Sequence, residues 1–93
     1  MEDKYEKLAE IILNNVGGSS NILNMTHCIT RLRFKLADES CVDTKLLSST
    51  DGILSIMVIG EQYQIVIGPQ VSEVYHAAKK LLNSTRSLLN TTI

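Results

Sequence analysis

Residues 22–36 read ILNMTHCITRLRFKL, and their second half decides the fold. Thr30, Leu32, Phe34 and Leu36 alternate with Arg31, Arg33 and Lys35. A period of two marks a half-buried strand, here with one apolar face and one cationic face. Residues 22–27 predict a strand before it, joined by a tight turn across residues 28–30. That turn lacks the Gly or Asn that short hairpin loops ordinarily use. It does contain Cys28, directly after His27. A thiol therefore stands where a strand rich in positive charge begins.

Before this hairpin, DKYEKLAEIILNNVGG places Tyr5, Leu8, Ile11, Ile12 and Val16 on one face of a helix. Asp3 is suited to cap its start, and Gly17-Gly18 to end it. After the hairpin, ADESCVDTKLLSSTDG is polar and turn-rich, with a short helix expected over residues 44–49 behind an Asp43 cap. ILSIMVIGEQYQIVIG predicts a second hairpin turning at Gly60-Glu61. Pro69 opens a last helix, where its missing N–H costs little, and Val71, Val74, Tyr75, Ala78, Leu81 and Leu82 form its apolar stripe. The closing NSTRSLLNTTI is rich in Ser, Thr and Asn and reads as a tail or linker.

The order is helix, hairpin, helix, hairpin, helix. The expected class is α+β: a four-stranded antiparallel sheet of two hairpins with three helices packed on one face. Leu32, Phe34 and Leu36 must then face the helices, which leaves Arg31, Arg33 and Lys35 on a face open to solvent.

The 93 residues suit one domain with one core. A net charge of −1 argues against general nucleic-acid binding. No apolar run approaches the ~20 residues of a membrane-spanning helix, so no direct membrane insertion is expected. The charged start, MEDKYEKLAE, is unlike a secretory signal. Without sign of export, Cys28 and Cys41 are expected to be reduced.

Arg31 and Arg33 lie one pleat apart on the same face, within reach of a thiol at the turn. Positive charge favours thiolate, and guanidinium forks match phosphate oxygens. The pattern therefore suits a cysteine that accepts a phosphoryl group, with turn N–H groups contributing. His27 falls on the other face of a regular strand and reads as an orienting or structural residue. Other thiol chemistries fit less well. Cysteine-dependent phosphatases place five residues between Cys and Arg in a glycine-rich loop. Here four residues separate Cys28 from Arg33, and none is glycine. Cys41 is too far along the chain for a Cys-x-x-Cys redox pair. No paired-ligand spacing suggests zinc. A cysteine on a hairpin is, however, more often a packing residue than a nucleophile. A cationic strand face is usually just solvated. Spacing alone leaves these readings open.

Taken with its surroundings, the chain resembles a known family. Cys28-x-Thr30-Arg31-Leu32-Arg33 follows Gly17-Gly18-x-x-Asn21-Ile22 and precedes Asp51-Gly52 and Tyr63-Gln64-x-x-Ile67-Gly68. That combination is similar to the enzyme IIB domain of the bacterial phosphoenolpyruvate-dependent sugar phosphotransferase system, of the glucose/glucoside/sucrose type. The likeness runs from about Tyr5 to Leu82.

The resemblance implies a phosphocysteine carrier over residues 1–83, with 84–93 as a tail toward a membrane-embedded IIC domain. Cys28 would take a phosphoryl group from a phosphohistidine of a IIA domain and pass it to a sugar held by IIC. Arg31 and Arg33 would serve mainly the transfer to sugar, with Thr30 and His27 auxiliary. Ile29 would belong to the surface on which IIA docks. No metal or other cofactor is implied, and the location implied is cytoplasmic, at the inner face of the membrane when linked to IIC. A non-catalytic regulatory module of the same fold is the alternative, and a thiol redox protein a weaker third. Two positions stand out from the family pattern: Glu61, where glycine is common, and Cys41. The sugar cannot be read from this chain, because IIC selects it.

Overall fold

A computed structural model describes residues 3–90, with side chains through residue 85. Its elements are α1 (Lys4–Asn15), β1 (Ile22–His27), β2 (Arg31–Leu36), α2 (Thr44–Ser48), β3 (Ser55–Ile59), β4 (Gln62–Val66) and α3 (Val71–Asn90). The four strands form one antiparallel sheet in the order β1-β2-β4-β3. The second strand of each hairpin is thus central, and the two hairpins join along β2 and β4.

The registers Leu32↔Ile65 and Phe34↔Tyr63 put these four side chains on one face. All are buried there with Ala9 and Ile12 of α1, Leu47 of α2, and Val74 and Ala78 of α3. Burying each large apolar side chain contributes about 1.5–3 kcal/mol. The alternation in residues 30–36 therefore fixes which face the helices cover. α3 packs on β1 and β2, α1 packs on α3, and α2 closes over β3. Thr44 at the start of α2 satisfies the buried Tyr63 hydroxyl at 2.6 Å.

The ends of the elements follow from capping groups. Asp3 accepts the Tyr5 N–H at 2.9 Å to start α1. The Gly18 N–H reaches back to the Leu13 carbonyl at 3.0 Å to close it. Asp43 accepts the Leu46 N–H to start α2. Asn21, 6% exposed, joins three segments. Its amide donates to the Val16 and Asp38 carbonyls at 2.8 and 2.9 Å, and its oxygen accepts the Asp38 N–H at 2.9 Å. The Gly-Gly-x-x-Asn-Ile stretch is thus a structural clamp where α1 hands over to the sheet.

Two expectations are corrected. The Ser/Thr/Asn-rich stretch after Leu82 does not leave the helix, because α3 runs on to Asn90. Thr85 returns its hydroxyl to the Leu81 carbonyl at 3.1 Å, so the polar side chain is satisfied without breaking the helix. Extending an anchored helix needs no new nucleus, and such residues each cost only a few tenths of a kcal/mol. Residues 91–93 of the expected tail lie outside the described residues. The second correction concerns the face without helices, which is not uniformly wet. Gln64, in its centre, is only 4% exposed and is hydrogen-bonded by the Arg31 side chain.

Candidate thiol site at the hairpin junction

Cys28 lies between the end of β1 and the start of β2, with its side chain half-buried. Its N–H donates to the Arg31 carbonyl at 3.0 Å, which closes the turn. No residue of the turn has a positive φ, so a turn-specific residue is not what shapes it. The second hairpin holds it instead. The Thr30 carbonyl accepts the N–H groups of Ile67 and Gly68 at 2.8 and 3.0 Å.

This geometry turns donors onto the sulfur. The N–H groups of Thr30 and Arg31 and the guanidinium of Arg33 are placed to favour its thiolate. The Cys28 thiol is held below its ordinary value as a result. The Thr30 N–H is the largest cause, partial burial opposes it, and the Arg31 N–H and the Arg33 charge add to it. Main-chain dipoles therefore lead and side-chain charge follows. Arg33 also keeps a buried Nε that has no hydrogen-bond partner. An unpaired N–H under cover is costly unless a ligand oxygen satisfies it.

The sequence expectation that both guanidinium groups reach the sulfur is corrected. Arg31 donates from Nη1 to Gln64 Oε1 at 3.1 Å, and Gln64 Nε2 donates in turn to Gln62 Oε1 at 2.9 Å. Arg31 is thus held along the sheet face, while its main-chain N–H serves the thiol. Gln64 was not singled out as a site residue from the sequence. Its signals there were its place in the Tyr63-Gln64-x-x-Ile67-Gly68 stretch and a polar side chain on the arginine face of a strand that becomes central.

His27 points toward the helices, its ring 4.5 Å from that of Tyr75 in α3. Its Nδ1 lies 2.9 Å from the Cys28 carbonyl oxygen. A carbonyl can only accept, so this bond requires the tautomer with the proton on Nδ1. Ile29 at the tip of the turn is 85% exposed. Glu61 lies at the opposite end of β4 from Cys28, 4.0 Å from Lys35, in an exposed pair of little energetic weight. Cys41 is exposed and free. Among the described residues, no three His, Cys, Asp or Glu side chains come together to hold a metal. The groups around the sulfur are donors without lone pairs, a set that matches an anion.

A family profile for the phosphotransferase system, EIIB, matches residues 10–43. A crystal structure of one domain of the PTS system IIabc component from Clostridium difficile superposes with a TM-score of 0.78. It is 33% identical and covers 83% of this chain and 81% of its own. The chain belongs to the EIIB family of the phosphotransferase system. Its similarity to the glucose/glucoside branch is also direct. A beta-glucoside-specific EIIBCA component from Halalkalibacterium halodurans is 53% identical over 77% of this EIIB chain. A sucrose-specific EIIBC component from Staphylococcus xylosus is 42% identical over 89% of it. The EIIB chain spans 11% and 18% of the length of those two relatives. Among its described residues, no helix is long and apolar enough to cross a membrane.

Proposed function

We propose that this EIIB domain carries a phosphoryl group on Cys28 between a IIA phosphohistidine and a sugar bound by a IIC domain. The observation that carries the reading is the sulfur's setting: two main-chain N–H groups and Arg33 converge on it. In the first step the thiolate attacks phosphorus, the S–P bond forms and the P–N bond to imidazole breaks. In the second, a sugar hydroxyl oxygen attacks, the S–P bond breaks and thiolate leaves, with the hydroxyl proton passing to a base outside this chain. Both steps need a stabilised thiolate and donors for the phosphoryl oxygens more than further covalent help.

The unpaired Arg33 Nε supplies one such donor. Arg31, held by Gln64 on the same sheet face, is a second positive charge that can exchange its glutamine partner for a phosphoryl oxygen. Ile29 and Leu54, 85% and 71% exposed, flank the segments that form the site and suit an apolar docking surface for IIA. The names of the relatives, which join B with C and A components, support partners of these kinds.

Incubation with phosphoenolpyruvate, the general phosphotransferase proteins and a IIA domain should label Cys28, mapped by mass spectrometry. A competent IIA that leaves Cys28 unlabelled would sink the reading. Arg31→Ala and Arg33→Ala should each still accept phosphate but deliver it to sugar at least tenfold more slowly. Normal delivery by both variants would remove the arginines from the transfer step.

A further inference from the structure

The turn that carries Cys28 has no shape-determining residue of its own, so something else must orient its peptides. The candidates are the two amides that reach it from the end of β4. The Thr30 carbonyl accepts both Ile67 N–H and Gly68 N–H, which uses both of its lone pairs and fixes the plane of the Thr30–Arg31 peptide. In a trans peptide the N–H points opposite to the C=O. Holding the carbonyl toward residues 67–68 therefore sends the Arg31 N–H the other way, toward the sulfur. Two donors on the carbonyl also polarise the peptide and strengthen its N–H as a donor.

The dihedrals of Ile67 set the two amides against each other, and Gly68, at φ 111 where a side chain is strained, lets the chain leave toward Pro69 and α3 while its own N–H stays on the Thr30 carbonyl. An added Cβ would meet only the ends of Gln70 and Leu54, at 3.4 and 3.8 Å. Backbone conformation, not crowding, is what requires glycine. Pro69 follows and offers no N–H, so the run of adjacent donors ends at residue 68.

We propose that Gly68 is a positioning residue for the thiol site: its positive φ lets the chain depart for α3 while the amides of residues 67 and 68 stay on the Thr30 carbonyl, which aims the Arg31 N–H at Cys28. The inference rests on the reading of Cys28 as phosphoryl acceptor, but its test needs no phosphoryl donor, so the two fail separately. The charged group that acts on the sulfur is Arg33, His27 reaches the Cys28 carbonyl, the Arg31 guanidinium is turned to Gln64, and residues 64–69 bring no titratable group.

The test measures the pH midpoint for alkylation by iodoacetamide in a Cys41→Ser background, where Cys28 alone reports. Gly68→Ala should raise that midpoint by about 0.5–1 pH units, the change expected when one hydrogen bond to a thiolate weakens. Gly60→Ala is the control. It places a side chain at φ 61, a milder left-handed strain, in the distant hairpin turn, and should leave the midpoint in place. A folded Gly68→Ala with an unchanged midpoint overturns the proposal, as does an equal shift in Gly60→Ala. Should Gly68→Ala fail to fold, a synthetic chain with glycolic acid at position 68 keeps the backbone freedom and removes only the N–H. A raised midpoint in that chain supports the proposal, and an unchanged one overturns it.

Discussion

At the scale of single residues, the thiol is governed first by peptide dipoles and second by Arg33. The sign of its pH dependence follows. The folded pKa lies below that of the unfolded thiol, about 8.5. Thiolate thus adds stability above that unfolded value, and the gain is lost as pH falls through the folded one. The alkylation midpoint of the folded protein should lie below that of the same chain in denaturant, and coincident midpoints would contradict the geometry. Arg33→Ala should raise the midpoint, whereas Arg31→Ala should move it less, since the Arg31 guanidinium is engaged by Gln64. An equal rise in both variants would count against that division. The alternation of residues 30–36 revealed that the two arginines share a face. It could not reveal that they diverge, because that depends on Gln64, which reaches Arg31 only after β2 and β4 pair.

Among the elements, the junction between α1 and β1 depends on one side chain. Asn21→Ala would leave the Val16 and Asp38 carbonyls and the Asp38 N–H without this partner. A loss of about 2–3 kcal/mol is expected, from the cost of unpaired polar groups, and denaturant unfolding would measure it. The sequence marked Gly17, Gly18 and Asn21 as a motif, but only the fold shows that the asparagine is a clamp and not a ligand. α3 carries a different lesson. Its composition after Leu82 resembles a linker, yet it stays helical, because the register of an anchored helix outweighs weak local preferences. Leu82, 5% exposed, is the last residue of the core cluster among the described side chains, so ending the chain at residue 83 should change stability by less than about 1 kcal/mol. A larger drop in the unfolding midpoint would show that the last turns of α3 support the core. The helix–hairpin order was legible because each element has its own period or stop signal. The turn at residues 28–30 had none, since its restraint comes from the other hairpin.

For the whole molecule, cationic and apolar surfaces lie side by side. Met57, Val58 and Ile59 of the edge strand β3 are 40%, 56% and 50% exposed, and Ile29 stands out at the tip of the thiol turn. A charge at that tip should oppose burial against a partner while sparing the thiol. Ile29→Asp is therefore expected to slow phosphate acceptance from IIA at least tenfold, with fold and iodoacetamide reactivity little changed. Acceptance at the normal rate would place the docking surface elsewhere.

The joining of the hairpins along β2 and β4 also bears on how the chain is made. Cys28 leaves the ribosome well before residues 67 and 68, and until those arrive nothing locks the Thr30–Arg31 peptide. A partly synthesised chain thus lacks one oriented donor to the sulfur and carries a less reactive thiol. Full nucleophilicity appears when the second hairpin docks, so chemical competence reports that the two hairpins have joined.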